Sequence, residues 1–361
     1  MPNEKTYAAS GVDVSNDDDF SGIMAKHSRA THKNIPYSIR DNIVKIRPDL
    51  DIVQATDGIG TNITDAERVN DHSTMASKMI SMVLDDIAII GAEPITIANY
   101  LAVNNMTHEL AKQLGASLET YAKKAGVAVV AGESANIPSM IKNEYDWAGF
   151  GIGLLHPERE ITKKNVAVGD FVFSLNANNL RSNGYTLVHD ILDDAFGNNW
   201  HNQPYNDAIT WGNKLIEEAD IFTPLIVEMT GGYDRPRKVD ISAMANVTGG
   251  GPLKRLGELV NVTGLSVYVD DAPPVPEEMI KLQELGPVTD IEAYKTWNMG
   301  FGVVGTVKTE EETKTVIEIA DKLGYTAQIV GTITSEETPT VTILSNGYHS
   351  AKEELAYHLR A

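Results

Sequence analysis

The sequence predicts a two-domain α/β protein (α+β type), each domain a mixed sheet covered by helices, and three observations carry that prediction. The chain has 361 residues, and at about 150 residues per domain that is room for two. Its composition, 42% hydrophobic and 22% charged, is close to the globular average. Short apolar strands alternate with segments of helical period on both sides of a charged connector, Pro157 to Gly169. The boundary is placed there, giving domains 1–168 and 169–361.

The first 35 residues show little periodicity and hold the acidic run Asp17, Asp18, Asp19, which reads as a solvated loop in an extended arm. Asp51 to Thr56 reads as a strand. Asp71 to Gly91 reads as a helix, its apolar stripe being Met75, Met79, Met82, Val83 and Ile87. Ile95 to Val103 is the next strand, and Thr107 to Gly126 a helix with Thr107 as N-cap and Gly126 as stop. Val127 to Val130 and Trp147 to Leu155 complete the first half as strands. The second half repeats the alternation: a strand at Asp170 to Leu175, helices from Ser182, over Asn206 to Ala219 and after Gly251, a strand at Leu265 to Val269, and a helix from Pro276. It closes with a strand at Gly300 to Val307, a helix at Glu310 to Leu323, and strands at Gln328 to Thr334 and Thr340 to Leu344. A shared text, Trp147 with Gly149-Phe150-Gly151 and Trp297 with Gly300-Phe301-Gly302, hints at two related units.

Charge and cysteine narrow the function. Thirty Lys plus Arg against fifty Asp plus Glu leave a net charge of −20, so sequence-independent binding to nucleic acid is not expected. A phosphate ligand then needs a metal ion or backbone N–H groups. With no cysteine, disulfides, thiolate nucleophiles and iron–sulfur clusters drop out. The start is polar and acidic without an apolar h-region. The most apolar stretch, Ile87 to Val103, is broken by Glu93, Pro94 and Asn99 and is too short and polar to cross a bilayer. No membrane partner and a cytoplasmic location are expected.

No Walker A segment, H-E-x-x-H, G-x-S-x-G or dinucleotide fingerprint occurs, and the nine histidines lack ligand spacing. Three glycine junctions remain: Thr56-Asp57-Gly58-Ile59-Gly60-Thr61, Ala131-Gly132-Glu133-Ser134-Ala135, and Val247-Thr248-Gly249-Gly250-Gly251-Pro252. Glycines there let a backbone approach a ligand, and free N–H groups at a helix start favour an anion. Asp57 ends a strand, while Asp85 and Asp86 interrupt an apolar helix. Hard oxygen ligands so placed suit Mg²⁺, which takes one or two carboxylates and completes its shell with water and phosphate. The other reading puts Asp85 or Asp86 on an exposed face.

In order, Gly11-Val12-Asp13-Val14, Thr56-Asp57-Gly58, Asp86 with Gly91-Ala92-Glu93-Pro94, Gly132-Glu133-Ser134-Ala135, Tyr145-Asp146-Trp147-Ala148-Gly149-Phe150, Ser182-Asn183-Gly184-Tyr185, Thr248-Gly249-Gly250-Gly251 and Asn298-Met299-Gly300-Phe301-Gly302 closely resemble the aminoimidazole ribonucleotide synthetase family. The resemblance implies a PurM-like fold with an interdomain cleft and an ATP-dependent cyclo-ligase. In that reaction ATP phosphorylates the formyl oxygen of formylglycinamidine ribonucleotide and the amidine nitrogen closes the imidazole ring. It further implies that Asp57 and Asp86 hold Mg²⁺ and ATP phosphates, with Glu133 and Asp146 as metal or positioning residues. Thr56, Gly58, Gly60, Thr61, Gly132 and Ser134 would join them around the nucleotide. Ser182, Asn183, Gly184, Thr248, Gly249, Gly250 and Gly251 would line the substrate side. A homodimer joined through the first-domain sheet is implied too, and the alternation Ile95, Ile97, Asn99, Leu101 is the candidate contact strand.

Departures stand at matched positions. The family's Lys after the TDG run is Asn62, its helix Asp is Lys78, its His before SNGY is Arg181, its His before TGGG is Asn246, and its strand Asp is Asn99. Arg181 and Asn246 are accordingly the candidate catalytic positions beside Asp57 and Asp86, with Arg181 expected to pair with a substrate phosphate. The alternative function is another ATP enzyme of the same fold, such as thiamine monophosphate kinase, or a nucleotide-binding paralogue with reduced catalysis.

Overall fold

The computed structural model describes residues 5–10, 14–345 and 354–359, so Gly11, Val12 and Asp13 of the amino-terminal motif lie outside the described residues. The first half contains α1 (Val14–Ala30), β1 (Ile39–Arg40), β2 (Ile43–Arg47), β3 (Leu50–Gly58), α2 (Ile63–Val69), α3 (Met75–Ala88), β4 (Glu93–Val103), α4 (His108–Ala125), β5 (Ala128–Asn136) and β6 (Tyr145–Leu155). Its strands form one sheet in the order β1-β2-β3-β6-β4-β5. Only the β4–β5 pair is parallel.

The second half contains β7 (Phe171–Asn176), α5 (Tyr185–Phe196), α6 (Trp211–Leu215), α7 (Thr223–Thr230), β8 (Ala243–Asn246), α8 (Gly251–Val260), β9 (Ser266–Val269), α9 (Glu277–Leu285), α10 (Asp290–Thr296), β10 (Phe301–Val307), α11 (Glu310–Lys322), β11 (Ala327–Thr334), β12 (Thr340–Leu344) and β13 (Glu354–His358). The second sheet runs β13-β12-β9-β11-β7-β10-β8. The two sheets share a motif. In each, a late strand inserts antiparallel between two earlier ones, β6 between β3 and β4, and β10 between β7 and β8.

Helix α3 is the central element. All of its residues but Asp86 are buried, although its sequence carries polar groups all round. One face lies on the first sheet, where Gly149, Gly151 and Gly153 alternate along β6. A Cβ at Gly151 would stand 2.7 Å from both Ile87 Cδ1 and Val83 Cγ1, so this glycine stripe lets the helix sit close to the strand. The opposite side meets the second half, where Ser77, Lys78 and Asp85 find their partners. Helix α4 follows its sequence signals. Thr107 Oγ1 accepts from the Leu110 N–H at 3.2 Å, and Gly126 ends the helix at φ 76°.

Two expectations are corrected. The supposed extended arm is helical over Val14–Ala30, so Asp17 to Asp19 fall within a helix. The helix expected from Asn206 to Ala219 shrinks to Trp211–Leu215. Its first residues form a side-chain turn instead, because Asn206 Oδ1 accepts from the N–H groups of Ala208 at 2.8 Å and Ile209 at 3.0 Å.

Candidate active site at the domain boundary

Strand β3 delivers Asp57 to the boundary. It lies opposite Gly149 of β6, on the same face as the buried Trp147 and toward α3. Its Oδ1 accepts the Gly58 N–H at 2.7 Å, and the chain then turns through Gly60–Asn62, with Gly60 at φ 72°. From α3 comes Asp86, whose Oδ1 accepts the Asn246 side-chain amide at 2.9 Å. Burial pushes Asp57 up to about 6. The Gly58 N–H opposes that shift, the neighbouring Asp86 charge adds to it, and Arg255 opposes it. Burial raises Asp86 as well, against the pull of Asn246, Arg255 and Arg181.

A buried carboxylate raised further by a second one beside it is costly without a cation. The second oxygen of each accepts no hydrogen bond from the described residues. No group of three or more carboxylates or imidazoles with metal-holding geometry occurs among the described residues. One or two carboxylates completed by water and phosphate oxygens are what Mg²⁺ uses, so the donor set at Asp57 and Asp86 fits that ion.

Asp85 is neither exposed nor available to a metal. It is fully buried; its Oδ2 takes the Arg181 Nη2 at 2.6 Å, and its Oδ1 accepts the backbone N–H and hydroxyl of Thr223 at 2.7 and 2.9 Å. This corrects the expectation for Arg181. Its side chain is 2% exposed, and the guanidinium lies 5.1 Å from the Phe222 ring centroid. Nη1 donates to Asn246 Oδ1 at 2.8 Å and to the Gly302 carbonyl at 3.3 Å. With its fork committed inside the protein, Arg181 does not reach a substrate phosphate.

Glu133 and Asp146 lie on the other face of the sheet from Asp57. Asp146 is exposed between the buried Tyr145 and Trp147, so it points to the face away from Asp57. Glu133, exposed on edge strand β5, is in register with Tyr100, which in turn pairs with Ala148 on that same outer face. Within one chain these two carboxylates do not join Asp57 and Asp86. Gly132 and Ser134 sit three strand spacings from β3, about 14 Å, whereas Thr56, Gly58, Gly60 and Thr61 surround Asp57 directly.

The expected substrate residues do gather. Ser182 Oγ donates to the Lys78 carbonyl at 3.0 Å, and Thr61 and Thr186 hydroxyls meet across the boundary at 3.3 Å. Gly184 and Gly250 are the N-caps of α5 and α8, and neither helix start has a side-chain cap. Both starts rest against one segment. A Cβ on Gly184 would stand 2.4 Å from Trp297 Cδ1, and one on Gly251 2.3 Å from the Tyr294 carbonyl oxygen. Asn183 and Gly249 are partly exposed there, while Thr248, Gly250 and Gly251 are buried.

Sequence reasoning gave no role to several polar and charged groups here. Arg255, on α8, bears on both Asp57 and Asp86 and donates to Glu258 at 2.7 Å. Burial lowers Lys163, which Glu258 pulls back up. Lys78 is buried and donates to the Arg181 carbonyl at 2.8 Å and Tyr185 hydroxyl at 3.1 Å. Asp65, also buried, accepts from His189 at 2.7 Å and from Asn62 at 2.8 Å. Two of these groups, Lys78 and Asn62, and the pair Arg181 and Asn246 are departures from the family text. In the folded chain they lie along one seam between the halves. Asn99 is separate and accepts the Trp147 indole N–H at 3.1 Å.

Residues 40–155 match the AIR synthase related protein, N-terminal domain, and residues 167–344 match the corresponding C-terminal domain. A phosphoribosylformylglycinamidine cyclo-ligase of Methanocaldococcus jannaschii is 33% identical over 336 residues, covering 91% of this chain and 92% of its own. Another, from Methanococcoides burtonii, is 34% identical over 310 residues, covering 83% and 88%. Among solved structures, Thermotoga maritima PurL complexed with ATP aligns at TM-score 0.56 and 14% identity, over 87% of this chain and 45% of that one; this chain thus spans about half of PurL. Thiamine-monophosphate kinase from Stenotrophomonas maltophilia aligns at TM-score 0.59 and 14% identity, over 84% and 92%. These structural likenesses establish the shared fold. With both domain families matched in order over most of its length, the chain belongs to the AIR synthase related family.

Proposed function

We propose that this chain is an ATP-dependent cyclo-ligase converting formylglycinamidine ribonucleotide to aminoimidazole ribonucleotide, with release of ADP and phosphate, in purine biosynthesis. The carrying observation is identity of 33% to a curated cyclo-ligase over 91% of the chain. Thiamine monophosphate kinase, the alternative, is matched only in fold, at 14% identity.

In this reading Asp57 and Asp86 hold Mg²⁺ beside the ATP phosphates, where the ion supplies charge neutralisation for phosphoryl transfer. The strand end Thr56 to Thr61 approaches the nucleotide. The uncapped starts of α5 and α8 offer backbone N–H groups to the substrate's phosphate, and Ser182 and Asn183 orient it. Holding the amidine nitrogen against the activated formyl carbon is then the chain's main task. The reactive partner is a small molecule rather than nucleic acid, in keeping with a net charge of −20. No helix among the described residues is long and apolar enough to cross a membrane.

We also propose a homodimer formed through the outer face of the first sheet. The stripe expected to make that contact is corrected: Ile97, Asn99 and Leu101 are in register with Gly151, Gly149 and Trp147 and face α3. The outer face instead exposes Tyr100, Phe150 and Ile152, with Ile95 and Val130 exposed at irregularities of β4 and β5. The test of function is ADP release. Formylglycinamidine ribonucleotide should stimulate it and yield aminoimidazole ribonucleotide; formation of thiamine diphosphate from the monophosphate would transfer the assignment to the kinase.

A further inference from the structure

Two residues of the domain seam, Arg181 and Asn246, lead to Asp86. Arg181 sits at φ 55°, a left-handed conformation that costs a non-glycine residue energy and persists only where its surroundings over-determine it. They do so here. Its backbone N–H donates to Asn179 Oδ1 at 2.9 Å, its carbonyl receives Lys78 at 2.8 Å, and its guanidinium crosses to Asp85. Its Nε is buried with no hydrogen-bond partner, a cost that stability alone does not explain, since buried ion pairs seldom stabilise a fold on balance.

The remaining contact of the fork supplies the reason. Arg181 Nη1 donates to Asn246 Oδ1 at 2.8 Å, and an amide whose oxygen is so held can present only its NH₂ on the other side. That NH₂ donates to Asp86 Oδ1 at 2.9 Å. We propose that Arg181 is a positioning residue that, through the Asn246 amide, fixes the orientation of the Asp86 carboxylate and leaves its second oxygen directed to a divalent cation. Arg181 touches neither substrate nor cation and acts from the second half on a ligand in the first. This inference rests on the reading of Asp86 as a Mg²⁺ ligand.

Arg181→Lys is the informative variant. A lysine keeps a positive charge beside Asp85 but has no planar fork to hold Asp85 and Asn246 together. Calorimetric titration of ATP at varied Mg²⁺ should show the Mg²⁺ midpoint raised about tenfold, the scale set by removing support from a metal ligand, at a temperature where the variant, its melting point lowered by the lost buried hydrogen bonds, is still fully folded. Asn246→Ala should raise the midpoint by a similar factor, and Arg181→Lys with Asn246→Ala no further than either alone. Additive shifts, or an Arg181→Lys midpoint equal to the parent's, would overturn the inference. Should Arg181→Lys fail to fold, Asn246→Ala, which leaves the Asp85 pair whole, decides by the same midpoint. A parent whose ATP binding ignores Mg²⁺ would instead sink the magnesium reading. The positioning of Asp86 through Asn246 is then read on the Asn246 side-chain amide resonance, whose hydrogen-exchange protection in the parent should be lost in Arg181→Lys and whose retention would count against it.

Discussion

Asp57 and Asp86 carry the most direct prediction at the scale of single residues. A neutral amide does not match a carboxylate beside a hard dication, so Asp57→Asn and Asp86→Asn should each weaken Mg²⁺-dependent ATP binding on the order of 10- to 100-fold. Because burial raises both groups in the folded protein, the amide also removes an electrostatic cost. Thermal melts at pH 7 should therefore show unchanged or higher stability. Parent-like binding in both variants would end the assignment. Lys78 makes a second prediction. Burial lowers its ammonium to about 8 from 10.5, so in the folded state the proton leaves first. Its desolvation cost is fully present below pH 8 and is relieved between pH 8 and 10.5, a contribution on the order of 3 kcal/mol rising with pH. Urea unfolding across that window should show the rise in the parent and its absence in Lys78→Met. Little of this was legible in the sequence. Asp57 and Asp86 stood out as charges at a strand end and on an apolar helix. The role of Arg181 did not, because its partner Asp85 lies 96 positions away and an ion pair at that separation leaves no local spacing.

Elements were legible where local chemistry decides them. Thr107 and Gly126 marked both ends of α4, and Thr309 with Glu312 makes a capping box at α11. Helix α7 and strand β8 went unseen, since both are buried nearly throughout and a continuous apolar run has no period to read. The start of α8 offers a test at this scale. Gly251 combines φ 61° with a would-be Cβ 2.3 Å from the Tyr294 carbonyl, whereas Gly264 has φ 68° and open space. Gly251→Ala should cost about 3 kcal/mol, strain plus overlap with an immovable backbone oxygen, and Gly264→Ala about 1 kcal/mol of strain alone. Urea midpoints separate the two, and equal costs would show that the α8 start is free to shift.

For the whole molecule, the exposed side of the first sheet is the feature to explain. Phe150 and Ile152 lie in the middle of β6 with 46% and 37% exposure, and an apolar sheet face left in water marks an association surface. Light scattering should give twice the 39.3 kDa chain mass at micromolar concentration. Phe150→Glu combined with Ile152→Lys should reduce it to a single chain. A parent that is monomeric at every concentration would remove the dimer. Sequence alternation found a real stripe, Ile97, Asn99 and Leu101, but on the inner side of the sheet, because alternation alone does not tell the covered face from the open one.

The seam between the halves also constrains how this protein can be recombined. Asp85 belongs to the first half and Arg181 to the second, and each buries its charge against the other at 2.6 Å. A chimaera taking its first half from this chain and its second from a relative with histidine before SNGY would bury Asp85 without its guanidinium, at a cost of about 3–5 kcal/mol. The two halves are thus an inherited pair, and exchange between lineages is penalised at one contact even where both sheets would fold.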